Sequence, residues 1–100
     1  MAQLIRVTED TVTTTHVNPA NGKTFTLQEL QRMVGGFIEA LDLQNGFVMW
    51  LNEEGKLKGL PYNPVAHAIA MRAGLPAHDY VVGNVLIASR AETEGDEEED

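Results

Sequence analysis

Residues 37–51 read Phe-Ile-Glu-Ala-Leu-Asp-Leu-Gln-Asn-Gly-Phe-Val-Met-Trp-Leu, two β-prone runs joined across Gln44-Asn45-Gly46. Asn-Gly is a dipeptide that readily takes the positive φ angles of a tight hairpin, so 37–43 and 47–51 are predicted to pair as antiparallel strands. Alternation then sends Phe47, Met49 and Leu51 to one face and Val48 and Trp50 to the other. Both faces are apolar. One is expected to cover helices, and the other to meet the remaining strands or an identical subunit, because a small domain rarely leaves such a face wet. A homo-oligomer is expected on this ground.

The flanking sequence supplies the rest of the sheet and its cover. Residues 3–8 alternate through Leu4, Ile5 and Val7, and 11–17 are almost wholly β-branched, which suits two strands turned at Glu9-Asp10. Residues 18–22, Asn-Pro-Ala-Asn-Gly, form a loop. Thr26-Leu27-Gln28-Glu29 fits a capping box, and Leu27, Leu30, Met33 and Val34 then share one face of a helix over 27–34 that Gly35-Gly36 ends. After the hairpin, Asn52-Glu53-Glu54-Gly55 turns the chain, Lys56-Leu57-Lys58 is predicted as a short returning strand, and 59–62 connect. Asn63-Pro64 starts a helix over 64–73 with Val65, Ala66, Ile69, Ala70 and Ala73 as its apolar stripe. Residues 80–88 are apolar on both faces apart from Gly83-Asn84, as a central strand with a bulge would be. The fold class is α+β: a small, mainly antiparallel sheet with two short helices, in one domain over 1–89.

Charge and composition narrow what such a domain can do. The net charge is −8, but Glu92, Glu94, Asp96, Glu97, Glu98, Glu99 and Asp100 face only Arg90. The body is nearly balanced, and 90–100 are expected to stay a solvated, disordered acidic tail. With no cysteine, disulfides, thiolate nucleophiles and cysteine-bound metals are excluded. No apolar run approaches the roughly 20 residues that span a bilayer, and no secretory leader is apparent, so a cytoplasmic location without a membrane is expected. No phosphate loop and no basic patch interleaved with aromatics is present, which argues against direct nucleic-acid binding.

The order of Leu27 to Gly36, Phe37-Ile38-Glu39, Asn52-Glu53-Glu54-Gly55, Gly59-Leu60-Pro61 with Asn63, and Val82-Gly83-Asn84-Val85 resembles a family of short proteins of unknown function. Such proteins are encoded by bacteriophages, plasmids and related bacterial elements. The resemblance spans about residues 24–89, with the 75–80 segment and the acidic tail outside its pattern. It implies a mobile-element accessory protein in the host cytoplasm and brings no catalytic residues.

The polar residues around the two turns, Asn52, Glu53, Glu54, Lys56, Lys58, Tyr62 and Asn63, are the candidate ligand- or partner-binding site. Free amides at the Asn63 helix start could hold an anion, with Lys56 and Lys58 adding charge if the connector folds back. The competing structural reading makes Asn63 a cap and the lysines a solvated edge. Glu53 with Glu54, or Glu39 with Asp42, lack the burial that separates an acid from a base. His16, His67 and His78 lack metal-motif spacing, and Ser89 lacks a nucleophile elbow, so neither a metal, a cofactor nor a catalytic residue is assigned. The leading expectation is a non-catalytic protein that binds a host protein or sequesters a small metabolite or nucleotide signal, in a counter-defence role. The alternative is a regulatory module whose acidic tail competes for a basic nucleic-acid-binding partner, and the third is a small enzyme with an unrecognised site.

Overall fold

The computed structural model describes residues 2–93. Ala2–Val7 (β1) and Val12–Val17 (β2) form a hairpin whose turn is closed by the Thr8 N–H on the Thr11 carbonyl (2.9 Å) and by Thr8 Oγ1, which accepts from the amides of Asp10 and Thr11. Leu27–Val34 (α1) follows. Its capping box is formed as the sequence requires: Thr26 Oγ1 accepts from the Glu29 amide (3.1 Å) and Glu29 Oε1 from the Thr26 amide (2.8 Å). Gly35 ends the helix at φ 84°.

Ile38–Asp42 (β3) and Phe47–Asn52 (β4) pair with Ala40 opposite Trp50. At the tip of this hairpin it is Gln44, not Asn45, that takes a positive φ beside Gly46. The Asp42 carboxylate accepts from the Gln44 amide (2.8 Å) and Asn45 Oδ1 from the Phe47 amide (3.3 Å), so Asn45 shapes the turn through its side chain. Pro64–Arg72 (α2), Val85–Ser89 (β5) and Arg90–Thr93 (α3) complete the described chain. The five strands lie in the order β2-β1-β5-β4-β3, every neighbour antiparallel.

The strand last in sequence is therefore the central one, as its two apolar faces require. Leu86 and Ala88 of β5 join Ala2, Leu4, Val48 and Trp50 beneath Phe25 and Leu30 on the α1 face. Val85 joins Ile5 and Met49 beneath Ala66 and Ala70 on the α2 face. Both faces of the β3–β4 hairpin thus receive a helix from the same chain, so covering them does not call for a second copy.

Four expectations are corrected. Lys56-Leu57-Lys58 is not a strand but part of a run of turns, with Lys58 N bonded to Glu54 O (3.0 Å) and Leu60 N to Gly55 O (3.0 Å). Leu57 is 88% exposed, so this segment has no apolar side to lay on a sheet. The last strand begins at Val85, because Gly83 at φ 78° breaks the run and Leu60 packs where a Cβ would stand, 2.8 Å away. Leu27 and Val65 lie on the outer sides of their helices, at 58% and 40% exposed. Arg90–Thr93, assigned to the tail, is a helical turn with Thr93 buried and the Glu92 carbonyl accepting from the Phe25 amide (2.7 Å). Residues 94–100, which hold most of the expected tail, lie outside the described residues.

Glu29 is buried, and its second oxygen accepts from the Ala20 amide (2.9 Å). The Thr26 amide first, then the Ala20 amide, hold its carboxyl below the ordinary value of 4.5. The bonds to the carboxylate stabilise the fold fully above pH 4.5 and are lost as pH falls through the lower folded value. Glu29→Gln should cost about 1 kcal/mol at neutral pH and make the stability loss between about pH 5 and 3 shallower than in the parent chain. Urea titrations across that range check this, and parallel curves for the two proteins would refute it.

Candidate functional site

The seven polar residues around the two turns are consecutive enough in sequence to suggest one site, and the fold distributes them. Asn52 is buried on the α1 face, where its Nδ2 donates to the Val34 carbonyl (3.2 Å) and its Oδ1 accepts from the Glu54 amide (2.8 Å). It ties the end of α1 to the turn after β4. Lys58 stands beside it, 3.8 Å from Glu54, and Gly36 leaves room for both, since a Cβ there would lie 3.0 Å from Asn52 Nδ2 and 3.1 Å from Lys58 Nζ. Tyr62, half exposed, tilts against the His67 ring with centroids 5.4 Å apart.

Asn63 is wholly buried. Its Oδ1 caps α2 by accepting from the Ala66 amide (3.1 Å), and its Nδ2 donates to the carbonyls of Gly83 (2.8 Å) and Ile5 (3.4 Å). The start of α2 gathers neither lysine. Lys56 and Lys58 pair with Asp79 and Glu54, and the groove that Pro64 lines is bordered by Glu9 and Asp10.

Glu53 and Lys56 share a cavity of about 300 Å³ on the α2 face, which Asn52 also borders. Leu41, Leu51, Leu75, Val81 and Val82 line it with apolar surface, and Glu39, Glu53, Lys56 and Asp79 bring the charge. The Lys56 ammonium donates to the Asp79 carboxylate and lies 4.5 Å from the centroid of the Tyr80 ring. Asp79 also accepts from the Tyr80 amide (2.8 Å), and its own amide bonds Pro76 O (2.9 Å), which fixes the turn that carries it. The hydrogen bond to Asp79 raises the lysine above its usual range, with the Asp79 and Glu39 charges adding to it, and the same bond lowers the aspartate. Both groups stay ionised at neutral pH. The pair is partly exposed, so its main effect is to hold the cavity wall in place, with little gain in stability.

Asp79, Tyr80 and Glu39 were not among the seven. Twenty-three positions separate Lys56 from Asp79, and the one local signal was the His78-Asp79 pair in a proline-bearing loop. Glu39 and Asp42 do not form an acid/base couple. They fall on opposite faces of β3, with Glu39 in the cavity and Asp42 on the Arg90 guanidinium at 2.6 Å. A second groove, of about 330 Å³ and mostly apolar, lies between α2 and the other end of the sheet, with His16 and Phe47 on its sides. Among the described residues, no three His, Asp or Glu side chains are placed to hold a metal ion.

A family model described as a domain of unknown function (DUF3846) matches residues 3–99, a span that adds the N-terminal hairpin and the residues after 89 to the stretch on which the resemblance was read. No curated protein and no solved structure matches.

Replacing Asn63 by Asp keeps the capping oxygen and removes both amide donors. Two buried carbonyls would then face a carboxylate, so Asn63→Asp should cost about 2–4 kcal/mol, where loss of a helix cap alone costs about 1. Chemical denaturation measures the difference. A cost at or below that of a lost cap would show that the bonds to Gly83 and Ile5 carry little.

Proposed function

The chain belongs to the DUF3846 family, and from that premise we propose that it is a non-catalytic accessory protein of a phage or mobile element. In this reading it works in the host cytoplasm by holding a small molecule, or one side chain of a host protein, in the cavity between β3, β4 and the turn at Asp79. The supporting observation is the composition of that cavity. An apolar floor of Leu41, Leu51 and Val81 lies under the carboxylates of Glu39, Glu53 and Asp79, of which Lys56 neutralises one. A concavity in which apolar surface meets a few convergent polar groups can both bury and orient a ligand, and here the polar share is about half.

The charge selects the ligand. An anionic nucleotide would bring its phosphates against Glu39 and Glu53, whereas an amine or guanidinium on an apolar body would satisfy both carboxylates and bury its carbon chain. The reading therefore narrows from a metabolite or nucleotide signal to a cationic or zwitterionic ligand, with an arginine or lysine side chain of a protein partner as the macromolecular version. No described feature favours the acidic-tail alternative, whose carboxylates lie mostly beyond residue 93.

Titrating the labelled protein with a polyamine, an arginine-containing peptide and an adenine nucleotide tests this by amide chemical shift. The two cationic probes should move the resonances of Glu39, Glu53, Asp79 and Tyr80, and the nucleotide should leave them in place. The double change Glu39→Gln with Glu53→Gln should weaken cation binding roughly tenfold, the loss of about 1.4 kcal/mol, with the fold intact. Shifts with the nucleotide alone, or none with any probe, would overturn the proposal.

A further inference from the structure

The two edges of the sheet are unlike. β3 is short and carries Glu39 and Asp42, charges that discourage a second strand from pairing there. β2 reads Val-Thr-Thr-Thr-His-Val, with no lysine, no proline and no acidic residue, and Thr13 to His16 are exposed. It pairs along its full length with β1 on one side, and no described strand lies on the other. An unguarded, β-branched edge of this kind is a template for another strand.

Which backbone groups point outward follows from the turn. Thr8 N bonds Thr11 O, so Thr8 and Thr11 are a hydrogen-bonded pair, and alternation along an antiparallel ladder makes Arg6 with Thr13, Leu4 with Thr15 and Ala2 with Val17 the others. The Val7 amide, which faces away from β2 onto Asn84 Oδ1 (2.9 Å), fits this phase. The amides and carbonyls of Val12, Thr14 and His16 therefore point away from β1, to the side where no described strand lies.

Those three residues are evenly spaced about Thr14, and that spacing makes the edge its own complement. We propose that β2 is a homodimer interface, in which two copies pair antiparallel about a two-fold axis at Thr14 and join their sheets into one of ten strands. Thr14 meets Thr14 of the second copy, Val12 meets His16, and Thr13 meets Thr15, giving six backbone hydrogen bonds with no like charges opposed. Beyond the ladder, Asp10 falls opposite Asn18, so the acidic turn of one copy does not meet its equivalent. Residues 94–100, Glu-Gly-Asp-Glu-Glu-Glu-Asp, contain no β-branched or aromatic residue, which makes a second β2 the better-matched strand for this edge. The contact is a strand pair, small beside a standard interface, and the dimer is accordingly weak and concentration-dependent.

The chain has no cysteine, so one introduced thiol reports on one contact. A Thr14→Cys protein should form a disulfide-linked dimer under mild oxidation, since hydrogen-bonded partners stand about 5.5 Å apart between Cα atoms, within disulfide reach. Thr8→Cys, away from the axis, should not. In sedimentation the unmodified chain should shift from 11.0 kDa towards twice that mass as concentration rises. Thr14→Lys and Thr14→Glu, each folded by circular dichroism, should each stay monomeric, and an equimolar mixture should recover the dimer. A parent chain that remains monomeric to high concentration overturns the proposal. So does a mixture of the two charge variants that does not associate, or protection of the β2 amides that arises only when another protein is added.

Discussion

The side chain of Asn63 locks a junction that the antiparallel Tyr62–Val82 bridge and the pairing of Ile5 with Val85 bring together. Its amide donates to Val81 (3.0 Å), its carboxamide nitrogen reaches Gly83 and Ile5, and its oxygen receives the first turn of α2. Gly83 is the place where regular pairing stops, with φ at 78°, just ahead of β5. Buried carbonyls left at such a break need a donor from elsewhere, because water cannot reach them. Asn63 supplies it and at the same time positions α2 over the sheet. An asparagine is suited to the place because it can donate twice and accept once without carrying a charge into the core.

From this junction follows the layering. β5 cannot enter the sheet until the connector has passed Gly83, and once there it lies between β1 and β4, so the most distant parts of the sequence form the middle of the core. The two helices then divide the work. α1 uses Leu30 and Met33 against Trp50 and Leu86, whereas α2 uses Ala66 and Ala70 against Met49 and Val85. α2 lies over Ile5, Met49 and Val85 and leaves the sheet open on either side of it. Those two openings are the charged cavity at Lys56 and the apolar groove at His16.

How much of this could be read beforehand depended on whether the cause was local. The capping box at Thr26 and Glu29, the Asn63-Pro64 helix start and the hairpin at 44–46 are chemistry within a few residues, and all three are where the sequence places them. The central position of β5 was legible from apolar residues on both of its faces. Lys56 to Lys58 misled because three residues with a lone leucine satisfy a strand pattern by default, and only the packing shows that the leucine has nothing to cover. The site was the least legible part. Proximity in sequence grouped Asn52 with Glu53, and both border the cavity, yet the Asn52 side chain is engaged by Val34 and Glu54, and the groups that complete the cavity come from 39 and from 75–82. The apolar faces of the hairpin suggest self-association in the sequence, yet each receives a helix of the same chain, and unpaired strand backbone remains at the β2 edge.

The separation of charge across the sheet bears on how the two proposed surfaces would work together. Glu39, Glu53, Lys56 and Asp79 gather beside β3 and β4, while the β2 edge is neutral and lies four strands away from β3. A ligand at the cavity would therefore neither block nor require pairing at the edge. The local axis of an antiparallel pair stands perpendicular to the sheet, so both copies of α2, and both cavities, come to lie on the same side of the joined sheet. Nine strand spacings of about 4.8 Å put the two cavities roughly 40 Å apart before twist is considered. A partner presenting two basic side chains at such a separation would engage both sites at once, and the second contact would form at the high effective concentration set by the first. Weak pairing at β2 and weak binding in each cavity could then combine into tight capture of a repeated or dimeric target, while monomeric ligands would exchange freely.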